Sequence, residues 1–374
     1  MIERRAEVRQ ESLDMIYNFV RRGIKERATD VHWEPQSNMG KDEVVIRFRV
    51  DGILKDIERV SDEKTNIASI INAIKIMAGM DPTKRRYKQD GRFTFMHENV
   101  EYDVRVASMP TILGEKLVMR LMDRNKYCMN LSELGMTKEV LEVLDSMIYK
   151  PEGFLVVTGP TGSGKTTTLY SVMQQIYNRE KNICTIEDPV EVRFPGINQI
   201  QVDHEFGMTF VTGLRAIMRQ DPNIIAVGEM RDAETVRTSL QAALAGSMVF
   251  STLHARDAVN TIVRLLDMGV EPFFIATALT GIVSQRLVRL VCKICRGKGC
   301  PQCSNTGYKK RTGIFEIVRI GDIMRQLILK HAPYDELRAA AIEQGMVPFI
   351  KSIEPLIQQG LTTKEEVDRV LALQ

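Results

Sequence analysis

Eight consecutive residues, 159–166, have the types and the spacing that bind phosphate. They read GPTGSGKT, follow an apolar stretch (FLVV) and precede a helical pattern (TTTLYSVMQQIY). Glycines let backbone N–H groups converge on phosphate oxygens, and the N-terminus of the following helix adds partial positive charge. Lys165 is expected to reach the β- and γ-phosphates of ATP, and the Thr166 hydroxyl to ligate Mg²⁺. The predicted nucleotide-binding residues are Gly159, Pro160, Thr161, Gly162, Ser163, Gly164, Lys165, Thr166 and Thr167. A glycine-rich turn without a ligand is the alternative, and the strand–loop–helix context argues against it.

One carboxylate follows a predicted buried strand. Glu229 comes directly after the apolar run 224–227 and Gly228. Ligands of open α/β sheets bind beyond the carboxyl ends of the parallel strands, so this position faces a phosphate site. We therefore expect Glu229 to support Mg²⁺ there. A solvated loop acid is the alternative.

A second group of acids lies in the segment TIEDPVE, residues 185–191. It contains Glu187, Asp188 and Glu191 around Pro189, which stiffens the turn. Three like charges in a short loop are unfavourable unless a cation such as Mg²⁺ is near. Acids in loops are often only solvated, and the residues alone leave both interpretations open.

Four cysteines predict a metal site. Cys292, Cys295, Cys300 and Cys303 form two CxxC pairs separated by four residues. Two such pairs can close a tetrahedral site of four sulfurs, for which Zn²⁺ is the expected ion. A closed site of this kind is structural. An iron–sulfur cluster or free thiols are the alternatives. Cys128 and Cys184 stand alone and are predicted to be buried thiols.

Arginines could stabilise the charge that develops on a transferred γ-phosphoryl group. Arg215 and Arg219 are four residues apart and are expected to share one face of a helix. In the N-terminal part the candidates are Arg47, Arg49, Arg92 and Arg105. Arg47 and Arg49 alternate with apolar residues and are expected on the polar face of one strand. The alternative is that this face is only solvated, because a solvated face has the same pattern.

The elements that position these residues fall into two α/β parts. The first part is mixed, with antiparallel strands expected. In the second part, short apolar runs at 154–157, 183–186, 224–227 and 248–251 alternate with amphipathic helices. That order predicts a parallel, doubly wound sheet with helices on both faces. The predicted divisions are an N-terminal α/β domain (1–122), a linker (123–131), a P-loop core (132–290), a tetracysteine module (291–312) and a C-terminal helical region (313–374).

Composition excludes several classes of protein. The 374 residues carry a formal net charge of +3, which is small for a nucleic-acid binder of this size. No run of about 18 apolar residues is present, so no membrane span is expected. The N-terminal segment is polar and lacks the apolar region of a signal peptide. A cytoplasmic protein is therefore expected.

The chain resembles the secretion ATPases that drive type II secretion and type IV pilus assembly. Besides the P-loop, seven blocks occur in the family's order along nearly the whole chain. They are ATDVHWEP (28–35), RFRVDGIL (47–54), QDGR (89–92), TIEDPVE (185–191), LRAIMRQDP (214–222), VGEMRDAET (227–235) and STLHARDA (251–258). The resemblance implies a RecA-like P-loop domain preceded by a smaller PAS-like α/β domain.

The resemblance also implies roles for individual residues. Glu191, the last acid of the TIEDPVE block, is implied as the general base, and Glu187 as part of the nucleotide site. Glu229 is implied as an atypical Walker B acid, and His254 as a contact or sensor of the γ-phosphate. The family usually has Gly-His seven residues before that histidine, whereas this chain has Gly246-Ser247. Any coupling role of that second histidine is therefore absent here.

At the level of the assembly, the resemblance implies a homohexamer in which arginines of one subunit meet a neighbour's nucleotide. It also implies docking on an inner-membrane platform protein, with no direct contact to nucleic acid. The tetracysteine module favours pilus or secretion assembly over retraction. Because the chain starts close to the first block, we expect it to lack the extra N-terminal domain that many members carry. It would then be either a shortened form or a naturally short member of the DNA-uptake type.

Two alternatives from other classes stay open. A nucleic-acid motor would show DNA-stimulated activity with a steep salt dependence. A non-hydrolysing nucleotide-binding scaffold would release no phosphate from ATP.

Overall fold

A computed structural model of the chain describes residues 10–38, 41–61, 67–123 and 129–372. The chain divides into two compact units, Met1–Asn125 and Lys126–Gln374. The predicted linker at 123–131 falls largely on residues 124–128, which lie outside the described residues, as does Cys128.

The first unit is one antiparallel sheet with two helices on one face. The strands occur in the order β3-β2-β1-β6-β5-β4 across the sheet. Val31, Trp33 and Phe48 from the strands pack with Ile16 and Ile74 from the helices. Polar side chains alternate with these residues and occupy the other face. The elements are α1 (Gln10–Lys25), β1 (Ala28–Asn38), β2 (Lys41–Val50), β3 (Ile53–Ser61), α2 (Ile67–Met77), β4 (Gln89–His97), β5 (Val100–Thr111) and β6 (Gly114–Asp123).

The second unit is a seven-stranded sheet in the order β13-β12-β7-β11-β10-β8-β9. Every pair is parallel except β12 with β13. The elements through β11 are α3 (Lys138–Ile148), β7 (Gly153–Thr158), α4 (Lys165–Ile176), β8 (Ile183–Glu187), β9 (Asn198–Gln201), α5 (Phe210–Ile217), β10 (Ile224–Val227), α6 (Ala233–Leu244) and β11 (Met248–Leu253). The remainder are α7 (Ala258–Asp267), α8 (Pro272–Ala278), β12 (Leu279–Val291), β13 (Tyr308–Arg319), α9 (Asp322–Leu329), α10 (Tyr334–Glu343), α11 (Phe349–Gln358) and α12 (Lys364–Leu371).

Helices cover both faces of this sheet, as the sequence predicts. Along β7, Phe154 and Val156 face one core, which contains Leu240 and Ile262 of α6 and α7. Leu155 and Val157 face the other, which contains Leu169 of α4. The four predicted apolar runs became β7, β8, β10 and β11, because strands buried on both faces are apolar throughout. The predicted α/β fold with a parallel sheet is confirmed.

The C-terminal part differs from the prediction in one respect. The sequence analysis assigned residues 313–374 to helices, whereas β13 runs through Arg319 and pairs with β12 over most of its length. The tetracysteine module is the excursion between these two strands. Helices α9 to α12 follow, so the helical assignment holds only beyond β13.

Candidate functional site

The predicted phosphate loop joins β7 to α4 at the carboxyl edge of the sheet. Its backbone requires glycine at two positions at least. Gly159 has φ 148° and Gly164 has φ 92°, both in the region that disfavours other residues. A Cβ atom on Gly159 would lie 2.4 Å from the carbonyl oxygen of Gln285 on β12, and one on Gly164 would lie 2.8 Å from the Gln285 amide nitrogen. The loop is therefore packed tightly against β12.

Lys165 begins α4 and turns its side chain back over the loop. Its Nζ donates hydrogen bonds to the carbonyl oxygens of Gly159 (3.0 Å) and Pro160 (3.1 Å). Only 8% of the residue is exposed. Burial lowers the pKa of Lys165 to about 8, although the charge of Glu229 acts in the opposite direction. The ammonium is thus poorly solvated, which favours an anionic partner such as phosphate.

Glu229 and His254 meet at the ends of the neighbouring strands β10 and β11. His254 Nε2 lies 3.7 Å from Glu229 Oε2, and Arg231 pairs with the other oxygen of Glu229. Burial lowers the pKa of His254, with a further contribution from the charge of Lys165. Lys165, Glu229 and His254 follow β7, β10 and β11, which are neighbouring parallel strands, so all three lie at the carboxyl edge of the sheet.

The acidic segment is not uniformly solvated. Glu187 ends β8 and is only 5% exposed, whereas Asp188 is exposed and Glu191 is half-buried. Glu187 accepts hydrogen bonds from Tyr170, from Thr185 (2.5 Å) and from Gln199 (3.1 Å). The solvated-loop alternative therefore fails for Glu187. Strand β8 pairs with β10, so Glu187 lies at the end of one strand and Glu229 just beyond the end of its neighbour.

Tyr170 connects the phosphate loop's helix to the acidic segment. It lies on α4, its hydroxyl donates to Glu187, and the same hydroxyl accepts from the Glu191 backbone N–H at 3.3 Å. Burial and the charge of Glu187 raise the pKa of Tyr170. The tyrosine therefore stays protonated and able to donate. The sequence analysis missed this residue, because no local pattern marks it.

The two arginines near α5 are placed differently from the prediction. Arg215 is exposed and pairs with Glu234 at 3.1 Å. Helix α5 ends at Ile217, and the Arg219 backbone N–H bonds to Ala216, three residues back, in the turn that follows. The two therefore do not share one face of a regular helix. Both side chains are exposed.

In the first unit, arginines form a row across the polar face of the sheet. Arg92 is opposite Arg105, which is opposite Arg120. Asp30 is opposite both Arg120 and Arg49 and continues the row. Arg47 lies outside it and pairs with Glu34 (3.2 Å) and Asp56 (2.8 Å). The sequence analysis named Arg49, Arg92 and Arg105 but missed Arg120.

The four cysteines of the module come together as predicted. The Sγ atoms of Cys292, Cys295, Cys300 and Cys303 all lie within 4.8 Å of one another. The pairs Cys292–Cys300, Cys295–Cys303 and Cys300–Cys303 are separated by 3.9, 3.7 and 3.7 Å. Zinc–sulfur bonds of about 2.3 Å at tetrahedral angles give sulfur separations of about 3.8 Å. The donor set and its dimensions therefore fit a zinc ion. Cys184 is buried apart from the module, as predicted.

Among the described residues, no helix is both long enough and apolar enough to cross a membrane.

Comparison with known proteins identifies relatives along almost the whole chain. A family model described as "Type II/IV secretion system protein" matches residues 7–369. The type II secretion system protein HxcR of Pseudomonas aeruginosa is 44% identical over 364 residues, 95% of this chain and 76% of that protein. The type II secretion system ATPase E of Vibrio cholerae is 40% identical, covering 93% of this chain and 73% of that protein. The type IV pilus assembly ATPase PilB of Thermus thermophilus is 39% identical, covering 93% of this chain and 42% of that protein.

Solved structures agree with this assignment. The pilus retraction motor PilT with bound ADP has a TM-score of 0.60 and 26% identity, covering 95% of this chain and 99% of that one. The ATPase DotB of Legionella pneumophila has a TM-score of 0.73 at 21% identity, covering 96% of each chain, and supports the fold alone. The resemblance drawn from the motifs is confirmed: this chain belongs to the Type II/IV secretion system protein family, as a secretion-type ATPase.

Proposed function

We propose that this chain is a cytoplasmic ATPase that works as a homohexamer and powers assembly of a type IV pilus or a type II secretion pseudopilus. The observation that carries the proposal is the meeting of Lys165, Glu229 and His254 at one sheet edge, beside a complete phosphate loop. The names of the relatives support the same assignment.

In the proposed reaction, backbone N–H groups of residues 159–166 hold the phosphates of ATP, and Lys165 exchanges its loop carbonyls for phosphate oxygens. Thr166 and Glu229 would hold Mg²⁺, which when bound neutralises charge on the β- and γ-phosphates. Glu191 would orient or deprotonate the attacking water, and His254 would contact the γ-phosphate. Glu187 would keep the acidic segment in place through Tyr170.

Arginines are proposed to complete the site from a neighbouring subunit. The row of Arg92, Arg105 and Arg120 concentrates positive charge on one sheet face, with Asp30 at its end. Arg120, like Arg47, is paired with an acid, so the row is favoured by its density of arginines alone. Arg215 and Arg219 are exposed and are the candidates from the second unit. We propose that motion between the two units then delivers the mechanical output.

Zn²⁺ is the proposed ion of the tetracysteine site. Four thiolates leave no open coordination position, so the ion would cross-link the β12–β13 excursion and take no part in hydrolysis. The partner is proposed to be an inner-membrane platform protein of the pilus or secretion machine. The cysteines favour assembly over retraction.

The proposal is tested by phosphate release and particle mass together. The purified chain should release phosphate from ATP, and Lys165→Ala should abolish release because the phosphates lose their cation. With ATP bound, light scattering should give about six times the chain mass of 42.5 kDa. No release by the wild-type chain would support a non-hydrolysing scaffold, and strong stimulation by DNA would support a nucleic-acid motor.

A further inference from the structure

The loop that carries His254 is tied to the C-terminal helices. Asp257 follows His254 by three residues and caps α7, since its Oδ1 accepts the Asn260 backbone N–H at 2.7 Å. Its other oxygen, Oδ2, accepts a hydrogen bond from the Tyr334 hydroxyl at 2.8 Å. Tyr334 is the first residue of α10. A helix cap needs only one carboxylate oxygen, so the bond to Tyr334 is an additional constraint on the loop.

A second bond holds the same loop from β12. The Arg286 guanidinium donates to the backbone oxygen of Arg256 at 2.5 Å. Arg286 is buried, and the neighbouring Gln285 packs against the phosphate loop and accepts from Thr168 at 2.6 Å. The segment between His254 and α7 is therefore fixed on one side by the strand beside the phosphate loop, and on the other by α10.

Tyr334 is itself held in place by neighbouring polar groups. Arg338 donates to the Tyr334 oxygen at 3.2 Å and lies 3.6 Å from Glu316 on β13. Glu316 in turn accepts the backbone N–H of Phe349, at the start of α11, at 3.0 Å. Burial and the hydrogen bond to Asp257 raise the pKa of Tyr334 to about 12, so the hydroxyl remains a donor at neutral pH. The contact is thus supported by β13, α10 and α11.

We propose that Tyr334, acting through Asp257, is a positioning residue that holds the His254 loop in its hydrolytic geometry. The inference rests on the proposed contact of His254 with the γ-phosphate. His254 is half-exposed at the end of β11, and its side chain lies 3.7 Å from Glu229. The buried strand β11 fixes His254 from the N-terminal side, so the position of its side chain depends further on how the residues that follow it are anchored. A displacement of about 1 Å in such a group can reduce turnover by about 100-fold.

Tyr334→Phe tests the proposal, because it removes one hydroxyl and keeps the ring. We expect kcat for ATP hydrolysis to fall by roughly tenfold, with the Kd for a fluorescent ATP analogue changed less than about twofold. Amide hydrogen exchange at residues 255–258 should become faster. The matched control is Tyr308→Phe, which also removes one hydroxyl bond in the C-terminal part, to Thr363 at 2.8 Å. It should change neither kcat nor that exchange.

A double mutant distinguishes positioning from general loss of stability. If Tyr334 acts through His254, then the double mutant Tyr334→Phe/His254→Gln should have nearly the same kcat as His254→Gln alone. Asp257→Ser keeps a capping oxygen but lacks the second one, and it should reproduce the effect if Tyr334→Phe folds poorly. Equal kcat values for Tyr334→Phe and Tyr308→Phe, or additive losses with His254→Gln, would overturn the inference. An unchanged kcat in His254→Gln alone would instead refute the proposed role of His254.

Discussion

At the scale of single residues, Lys165 is the side chain whose protonation state should change most when nucleotide binds. Its ammonium is nearly buried and donates to the loop's own carbonyls of Gly159 and Pro160. Burial brings its pKa to about 8, so the lysine is partly neutral in mildly alkaline solution. Bound phosphate, being anionic, would raise the pKa again.

ATP binding should therefore take up a proton at pH 8.5. Because the protonated lysine binds phosphate better, affinity should fall by up to about tenfold per pH unit as the pH rises above about 8. Calorimetry in two buffers of different ionisation heat measures the uptake. In Lys165→Arg the side chain stays charged at this pH, so this variant should bind ATP without taking up a proton. Binding by the wild-type chain with no proton exchange at pH 8.5 would show that the lysine is already fully charged.

The sequence predicts site residues that are consecutive along the chain, and it misses contacts that only the fold creates. The phosphate loop was found because its glycines, lysine and threonine are consecutive. The burial of Glu187 could not be predicted, since its partners Tyr170 and Gln199 come from α4 and β9. Asp257 and Tyr334 are 77 residues apart, and only the fold brings them together.

At the scale of elements, the strands that carry the site were predictable and the β12–β13 pair was not. Runs of apolar residues marked β7, β8, β10 and β11. By contrast, β12 buries Ser284, Gln285, Arg286 and Arg289 among its apolar residues. Hydrogen bonds compensate part of this burial: Arg289 pairs with Glu366 of α12 at 2.6 Å, and Gln285 accepts from Thr168. A pattern that mixes arginine and leucine does not indicate a buried strand.

The metal site should stabilise this strand pair. The purified chain should contain about one zinc per chain, and Cys295→Ser should lose it and melt roughly 5 °C lower or more, because structural zinc contributes directly to folding. Metal analysis and thermal melts measure both effects. Cys184→Ser changes a buried cysteine outside the module and should retain the zinc. Iron with visible absorbance in place of zinc would support the iron–sulfur alternative.

At the scale of the whole molecule, the chain combines two units with different chemistry. The second unit carries the phosphate loop, the acids and His254, whereas the first carries the row of arginines. The net charge of +3 hides this row, because acids offset the arginines: Asp30 pairs with Arg120 in the row, and Glu34 pairs with Arg47 outside it. Composition alone could therefore exclude a generally basic nucleic-acid binder but could not locate the basic face.

The central claim is that ATP is hydrolysed at this site with Glu191 activating the water. Glu191→Gln removes the carboxylate and keeps the size of the side chain, and Glu205→Gln makes the same change at an exposed loop position. Measured side by side, both variants should bind ATP as the wild-type chain does, and only Glu191→Gln should lose phosphate release, by about 100-fold or more. If Glu191→Gln released phosphate at the rate of Glu205→Gln, the assignment of Glu191 and the proposed mechanism would be contradicted.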